Sequence, residues 1–346
     1  MITVKKLLLI LFAMTFSLPA FSAMQIKFFV GEAKIKPFGS DTWQKASMNQ
    51  KLVNGDTVKT GSKAYIQIDM DGNTIKVNEN TQLAIGQDID EEKKVQSLDM
   101  TRGTVQLKMD KLQNNNSGFK VNTVSTVCAV RGTEFLVAAG YDGTSVLQVQ
   151  KGRVAITGSS RTVLVNANQE TTVPYGGDPS EVEDIKISEW NKWISDSKNQ
   201  LKGNEESVLN ESLKKMKKLD NDITELEEIK EFNQKEKIKY DELAKKFKAD
   251  GNTAKFEENA KLSFQAAQKL HLASFRAIVN AYKMGMVKDF SDLTYETIDR
   301  SNRTAEINKL YMEIDDLYKK YYIKYIKAAV EAKQKRDELR KKRSRR

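Results

Sequence analysis

From residue 25 to 175 apolar and polar residues alternate with a period of two. Ile66, Ile68 and Met70 alternate with Gln67, Asp69 and Asp71, and Ile75 and Val77 with Lys76 and Asn78. Alternation of this kind sorts side chains onto the two faces of a pleated strand. Asp71-Gly72, followed by Asn73, suits a tight hairpin turn between the two runs. Further strands are predicted over 25–30, 104–109, 119–121, 135–139, 146–150, 153–156 and 162–165, punctuated by Gly, Asn and Asp clusters. Many short strands with regular turn signals predict an all-β domain over residues 24–175.

The period then changes. Gly176-Gly177-Asp178-Pro179 predicts a linker over 176–180. Ser180 with Glu183 three residues on has the form of a capping box, so a helix is expected from there. Leu209, Leu213, Met216, Leu219, Ile223 and Leu226 recur at spacings of three and four, and Phe256, Ala260, Ala267, Leu270, Ser274, Ile278 and Tyr282 make another stripe at helical spacing. A third stripe runs from Ile307, Leu310 and Ile314 into Tyr318, Tyr321, Tyr322 and Tyr325. No proline follows Pro179, so long helices are permitted. Breaks are expected at Asp250-Gly251-Asn252 and between Gly285 and Thr297. The chain therefore reads as multi-domain, all-β plus all-α. Its helical domain, residues 181–346, is expected to fold as a long-helix antiparallel bundle or hairpin. An extended coiled coil is the alternative, but the stripes are too irregular for sustained heptads.

The first residues follow neither period. Lys5 and Lys6 precede an apolar run from Leu7 to Phe16, then Pro19 and the small residues Ala20, Ser22 and Ala23. This is the form of a signal peptide over residues 1–23, with cleavage expected after Ser22 or Ala23. The run is short for a membrane span of roughly 20 residues, although an uncleaved anchor is the alternative. Cleavage would leave an exported chain with no transmembrane span, in the periplasm or cell envelope.

Composition removes much chemistry. The 346 residues contain one His, His271, and one Cys, Cys128, which excludes paired-His metal motifs and an intramolecular disulfide. Cys128 lies in an apolar run and reads as a small buried hydrophobe. No phosphate-binding Gly loop, His-Glu-x-x-His or Gly-x-Ser-x-Gly occurs, and acidic residues are spread too evenly to nominate a catalytic pair. The expectation is no enzyme and no cofactor. Asp69-Met70-Asp71-Gly72-Asn73 lacks the length and distal Glu of a calcium loop and reads as a turn. Trp190 and Trp193, three apart, are expected to dock the first helix on the β domain, and the tyrosine stripe to form bundle core.

The net charge of +10 is not spread along the chain. Residues 24–180 carry +2, residues 181–330 carry none, residues 331–346 carry +6, and the remaining +2 leaves with the signal. The excess is a basic C-terminal tail containing Arg336, Arg340, Lys341, Lys342, Arg343, Arg345 and Arg346. Export makes nucleic acid an unexpected partner. The tail reads either as a solvated helix end whose cations suit the helix dipole, or as a contact for an anionic envelope surface.

One set of ordered segments has a family look. It comprises Gly31-Glu32-Ala33, Trp43-Gln44-Lys45-Ala46, the run from Leu52 to Gly61, the hairpin Ile68 to Ile75, and Leu98 to Val105. Phe119-Lys120-Val121-Asn122-Thr123 then leads to Val127-Cys128-Ala129-Val130-Arg131-Gly132-Thr133-Glu134-Phe135, and the run from Val149 to Val154 closes the set. Across roughly residues 25–175 this resembles the FecR domain; the helical half resembles no family. The resemblance implies an elongated, solenoid- or roll-like β domain. It also implies exported binding or sensing rather than catalysis. Arg131, Gly132 and Thr133 form a polar element inside an apolar stretch, either pinning neighbouring turns or contacting a ligand. The signalling members of the family carry a cytoplasmic segment before a membrane span. An apolar run starting at Leu7 leaves little room for one. The expectation is therefore a binding or scaffold module of the bacterial envelope, with an envelope protein, peptidoglycan or another anionic polymer as partner. The alternative is a membrane-anchored FecR-like sensor in transmembrane signalling.

Overall fold

The structure is a computed structural model that describes residues 24–90, 93–109, 118–130, 132–327 and 330–331. The predicted signal, Arg131 and the seven cations named in the tail lie outside the described residues. The β half begins with β1 (Met24–Val30), β2 (Ala33–Lys36), β3 (Gln44–Lys45), β4 (Lys51–Leu52), β5 (Thr57–Thr60) and β6 (Tyr65–Met70). It continues with β7 (Asn73–Val77), β8 (Gln82–Asp90), β9 (Lys93–Lys108), β10 (Phe119–Asn122), β11 (Val127–Val130) and β12 (Glu134–Ala139). It ends with β13 (Ser145–Lys151), β14 (Arg153–Thr157), β15 (Thr162–Asn166), β16 (Gln169–Val173) and β17 (Glu183–Asp184).

Pairing sorts these strands into two sheets that share β9. One sheet runs β4-β1-β6-β7-β9-β12-β13-β16-β17. The other runs β3-β2-β5-β8-β9-β10-β11-β14-β15, with β9 and β10 parallel and the other pairs antiparallel. β9 crosses from one sheet to the other near Gly103. Arg102 still pairs with β8, and Gly103 already pairs with β12. Gly103 adopts φ +100°, and a Cβ there would collide with the Thr81 backbone. The inner faces contribute one continuous core, including Ile26, Ile68, Leu98, Phe119, Phe135 and Ile156. The period-two alternation of the sequence is this inside-outside sorting. At the predicted hairpin, Asp71 and Gly72 both have positive φ, 49° and 86°, which suits a two-residue turn.

The β region extends further than the sequence suggests. β17 pairs with β16, and the first helix begins only at Trp190. Ser180 is not a helix cap: its hydroxyl accepts from the Thr172 backbone N–H at 3.1 Å and contacts Thr171 Oγ1 at 3.2 Å, so it closes a sheet edge. A capping-box pattern is met equally by a polar turn.

Four helices follow: α1 (Trp190–Leu201), α2 (Glu205–Ala249), α3 (Thr253–Thr297) and α4 (Ala305–Tyr321), the last running into a π-helical turn over Tyr322–Lys327. α2 and α3 each have 45 residues, about 67 Å at 1.5 Å per residue. They pair as a hairpin through the predicted Asp250-Gly251-Asn252 break, where Gly251 takes φ 69° and Asn252 caps α3 by accepting from the Lys255 N–H. The second break falls later than expected. Gly285 is carried inside α3, and the chain turns only after Thr297. α4 packs into the base of the hairpin, forming a core with Leu213, Met216, Ile223, Met284, Leu310 and Ile314. Tyr321 and Tyr325 are buried in it, as the stripe predicts.

The helices cover both sheets. Trp190 and Trp193, edge to face with centroids 6.0 Å apart, sit against Leu136, Ala138 and Val146 on the outer face of β12–β13. α3 crosses the outer face of the second sheet, where Lys94 lies 4.1 Å over the Phe275 ring. The outward-facing polar residues of β8, β9 and β10 are thereby enclosed.

Candidate functional site

A cavity of about 440 Å³ lies where the β domain meets α2 and α3. Its β wall is the loop after β10, residues 123–126, whose shape is fixed by buried hydroxyls. Ser145 Oγ lies 2.7 Å from Thr123 Oγ1 and 2.6 Å from Ser125 Oγ, and Thr126 Oγ1 donates to the Thr157 carbonyl at 2.7 Å. Its helical wall is cationic. Lys214, Lys215 and Lys218 share one stretch of α2, and Lys283 faces them from α3. Positions three and four apart lie on one helix face, which is how Lys214, Lys215 and Lys218 come to line the same space.

The four lysines differ in their partners. Lys214 pairs with Glu211 at 3.4 Å, and Lys283 with Asp88 at 3.1 Å. Lys215 Nζ donates to the Val124 carbonyl, and burial lowers its pKa to about 8. Lys218 makes no ion pair or side-chain hydrogen bond among the described residues. Glu211 and Asp222 also line the cavity, so lysines outnumber carboxylates there by two. A smaller cavity of about 270 Å³ continues the cleft past Lys283 to Arg276.

Behind this wall is a buried polar cluster. Asn122 Nδ2 donates to Asp99 Oδ1 at 2.7 Å and to Asp88 Oδ2 at 3.3 Å, and Ser97 Oγ donates to Asp99 Oδ1 at 3.1 Å. Burial raises the Asp99 carboxyl to about 6, against the opposing pull of Asn122, Lys283 and Ser97. Asn122 also lines the main cavity, and its Oδ1 is buried with no hydrogen-bond partner. The arrangement offers ammonium groups, hydroxyl donors and an orphaned amide oxygen converging on one space. That donor set suits an anionic, hydroxyl-bearing ligand.

Few residues singled out from the sequence lie here. Gly132, with φ 66°, and Thr133 stand between β11 and β12, against Gly152 of the β13–β14 turn. The Thr133 carbonyl accepts from the Met109 N–H at 2.9 Å, whereas its hydroxyl is buried without a partner. Neither residue lines the cavities at the helices. Trp43 is half-buried, with the Lys36 and Lys59 ammonium groups each 5.6 Å from its ring. His271 is exposed, and Cys128 is buried. Among the described residues no cluster of three or more His, Cys, Asp or Glu could hold a metal ion. Sequence reasoning missed Lys215, Lys218, Lys283 and Asp88, and Asp99 entered only within the family-like run Leu98 to Val105. Asn122 and Thr123 were quoted only as part of a family-like run. The available signal was that run, which the fold turns into the cavity wall.

Comparison with known proteins supports the β half alone. No curated protein matches the chain significantly. Two crystal structures, each described as "a putative anti-sigma factor" from Parabacteroides distasonis, share 16% identity with it at a TM-score of 0.33. The matches cover 40% of this chain and 64% and 63% of those chains, so the chain spans less than two thirds of their length. Among the described residues no helix is long and apolar enough to cross a membrane. Residues 56–155 match the model of the family described as FecR protein, within the region that carries the sequence resemblance and including Asp88, Asp99, Asn122 and the 123–126 loop. The chain is a FecR domain-containing protein, with that domain in its β half and two long helices packed against it.

Proposed function

We propose that this is an exported, non-enzymatic binding protein of the bacterial envelope, and that its ligand site is the lysine-lined cavity between the FecR domain and the helices. The observation that carries the reading is the pairing of Lys215 and Lys218 with the hydroxyl-fixed loop 123–126 around one space of about 440 Å³. The ligand class is an anionic glycan bearing carboxylates or phosphates, as peptidoglycan fragments and other envelope polymers do. The FecR domain supplies the rigid wall, and the distal α2–α3 hairpin is a spacer or partner-binding arm. Export rests on the charged, apolar and small-residue pattern of residues 1–23.

The test is retention of the purified chain from residue 24 onward on peptidoglycan sacculi, with soluble muropeptides as competitors. Wild type should be retained, and the double variant Lys215→Met, Lys218→Met should lose at least tenfold in affinity. Retention should weaken with added salt, because screening shortens to about 8 Å at physiological ionic strength. No retention, or equal retention of the double variant, overturns the reading. A glycan-hydrolysis screen checks the non-enzymatic part. The FecR match also supports a second reading, a membrane-anchored sensor. Mass spectrometry of the native N-terminus separates the two: a retained Met1 favours the sensor, and a start at Ala23 or Met24 the exported binder.

A further inference from the structure

A second cavity, of about 180 Å³, lies on the other side of α3, between the outer face of β8–β9 and the end of the helical chain. Its chemistry is opposite to that of the lysine-lined cleft. Four aromatic rings line it: Phe38 from the loop after β2, Tyr282 from α3, Tyr318 from α4 and Tyr322 from the π turn. They form two pairs, Phe38–Tyr282 with centroids 6.1 Å apart and Tyr318–Tyr322 at 5.2 Å, tilted by 43° and 40°. Phe38 is held in place, because its backbone N–H donates to Asp56 Oδ1 at 2.8 Å and its ring packs against Gly55, where no side chain would fit.

Two carboxylates open on the same space. Asp99 uses Oδ1 for both Asn122 and Ser97. Asp289, one and two turns of α3 along from Gly285 and Tyr282, makes no hydrogen bond or ion pair with its side chain among the described residues. Burial raises both carboxyls to about 6. Asp41 stands at the rim. The lone cation of the lining is Lys36, whose ammonium lies 5.6 Å over the Trp43 ring and forms no ion pair with Asp289. Lys36 and Lys288 attract the Asp289 carboxylate, and Lys283 that of Asp99, only from beyond contact distance. A desolvated carboxylate with no direct hydrogen-bond or ion-pair partner, as at Asp289, is costly unless something cationic enters.

We propose that this cavity binds a small primary ammonium ion, with Asp289 and Asp99 taking its N–H groups and the faces of Phe38, Tyr282, Tyr318 and Tyr322 enclosing its charge and short alkyl chain. Aromatic faces attract cations through their quadrupoles, and carboxylates give the hydrogen-bond acceptors that an ammonium ion with three donors requires. A sodium ion would satisfy the carboxylates but leave the rings unused. A neutral alcohol would fill the volume but leave the charge unmatched. The site is independent of the anionic ligand proposed above, since the two cavities share only Met286 in their linings.

The experiment is calorimetric titration of the full exported chain at pH 7.5 with n-butylammonium chloride, against sodium chloride at equal ionic strength and against 1-butanol. Saturable binding of n-butylammonium alone is expected, weakened at least tenfold in Asp289→Asn. Phe38→Leu, which leaves both carboxylates in place, should weaken it severalfold and serves as the second variant if Asp289→Asn misfolds. No saturable binding, equal binding of 1-butanol, or unchanged affinity in the folded variants overturns the proposal. Sacculus retention measured on the same variants should be unchanged, so failure of one site is read separately from failure of the other.

Discussion

Asp99 shows what it means for one residue to be enclosed by another domain. It stands beside Leu98 on β9, and alternation turns Leu98 into the core and Asp99 away from it. The outer face is covered by α3, so the carboxyl is only 6% exposed and its pKa rises to about 6. The groups facing it are Asn122 and Ser97, which hydrogen-bond to it, and Asp88, Lys283 and Tyr282. Because the folded state holds the proton more tightly than the unfolded chain, this residue's contribution to stability is fullest below about pH 4. It is lost as pH rises through about 6. The shift corresponds to on the order of 3 kcal/mol as an upper bound. Asp99→Asn keeps an acceptor for Asn122 and Ser97 without the charge. Urea unfolding should find it more stable than wild type by about 1–3 kcal/mol at pH 8, with the gap closing towards pH 4. A gap independent of pH would contradict this origin. Cys128 offers a second residue-scale check. Its thiol is buried and pushed up to about 12, so it should resist a thiol reagent at pH 8 until the protein unfolds.

Among the elements, β9 connects the most structure. Its 16 residues pair with β8 and β10 in one sheet and with β7 and β12 in the other. The transfer depends on Gly103. A side chain there must accept φ +100° and displace Thr81, whose Oγ1 also accepts from the Thr104 N–H at 3.0 Å. Gly103→Ala should therefore cost at least about 2 kcal/mol in chemical denaturation, far more than Gly72→Ala, where a Cβ meets nothing within 4 Å. Little of β8–β9 was legible beforehand. The sequence between them, Asp88-Ile89-Asp90-Glu91-Glu92-Lys93-Lys94-Val95, is dominated by charge and masks the alternation on either side. The hairpin β6–β7, with clean alternation and Asp-Gly at the turn, was legible. So were β10 and the strands from β12 to β15, to within one or two residues at each end, whereas β11 (Val127–Val130) was read only as an apolar run.

At the scale of the molecule, the helical hairpin divides into a packed base and a sparse arm. The base of α2 buries Leu209, Leu213, Met216 and Ile223, whereas beyond residue 230 the same helix buries only Asn233 and Ala244. On α3 the arm buries Asn259, Ser263 and Ala266. Ser263 Oγ donating to Asp241 at 2.5 Å ties the two helices there. Small and polar contacts stabilise a helix pair less than apolar burial does. Amides over 231–272 should accordingly exchange with deuterium well ahead of those over 209–226 and 277–294. Equal protection would indicate that another surface, such as a second copy of the chain, holds the arm.

The sequence by itself determined the division into a strand half and a helix half, the hairpin turn at Asp71-Gly72, the break at Gly251 and the FecR resemblance. These depend on period and local backbone preference, which are written in neighbouring residues. It also anticipated the docking of Trp190 and Trp193, because large aromatic side chains on a first helix have few other places to go. Only the tertiary structure decided where the polar faces of the strands end up. Asp88, Ser97, Asp99 and Asn122 have the pattern of a solvated strand face, and nothing local distinguishes a face met by water from one met by a helix nearly 200 residues later. The lysines of α2 likewise look like an ordinary solvated stripe until the 123–126 loop is brought against them. Both cavities are products of that long-range contact, and for that reason neither could be read from the chain.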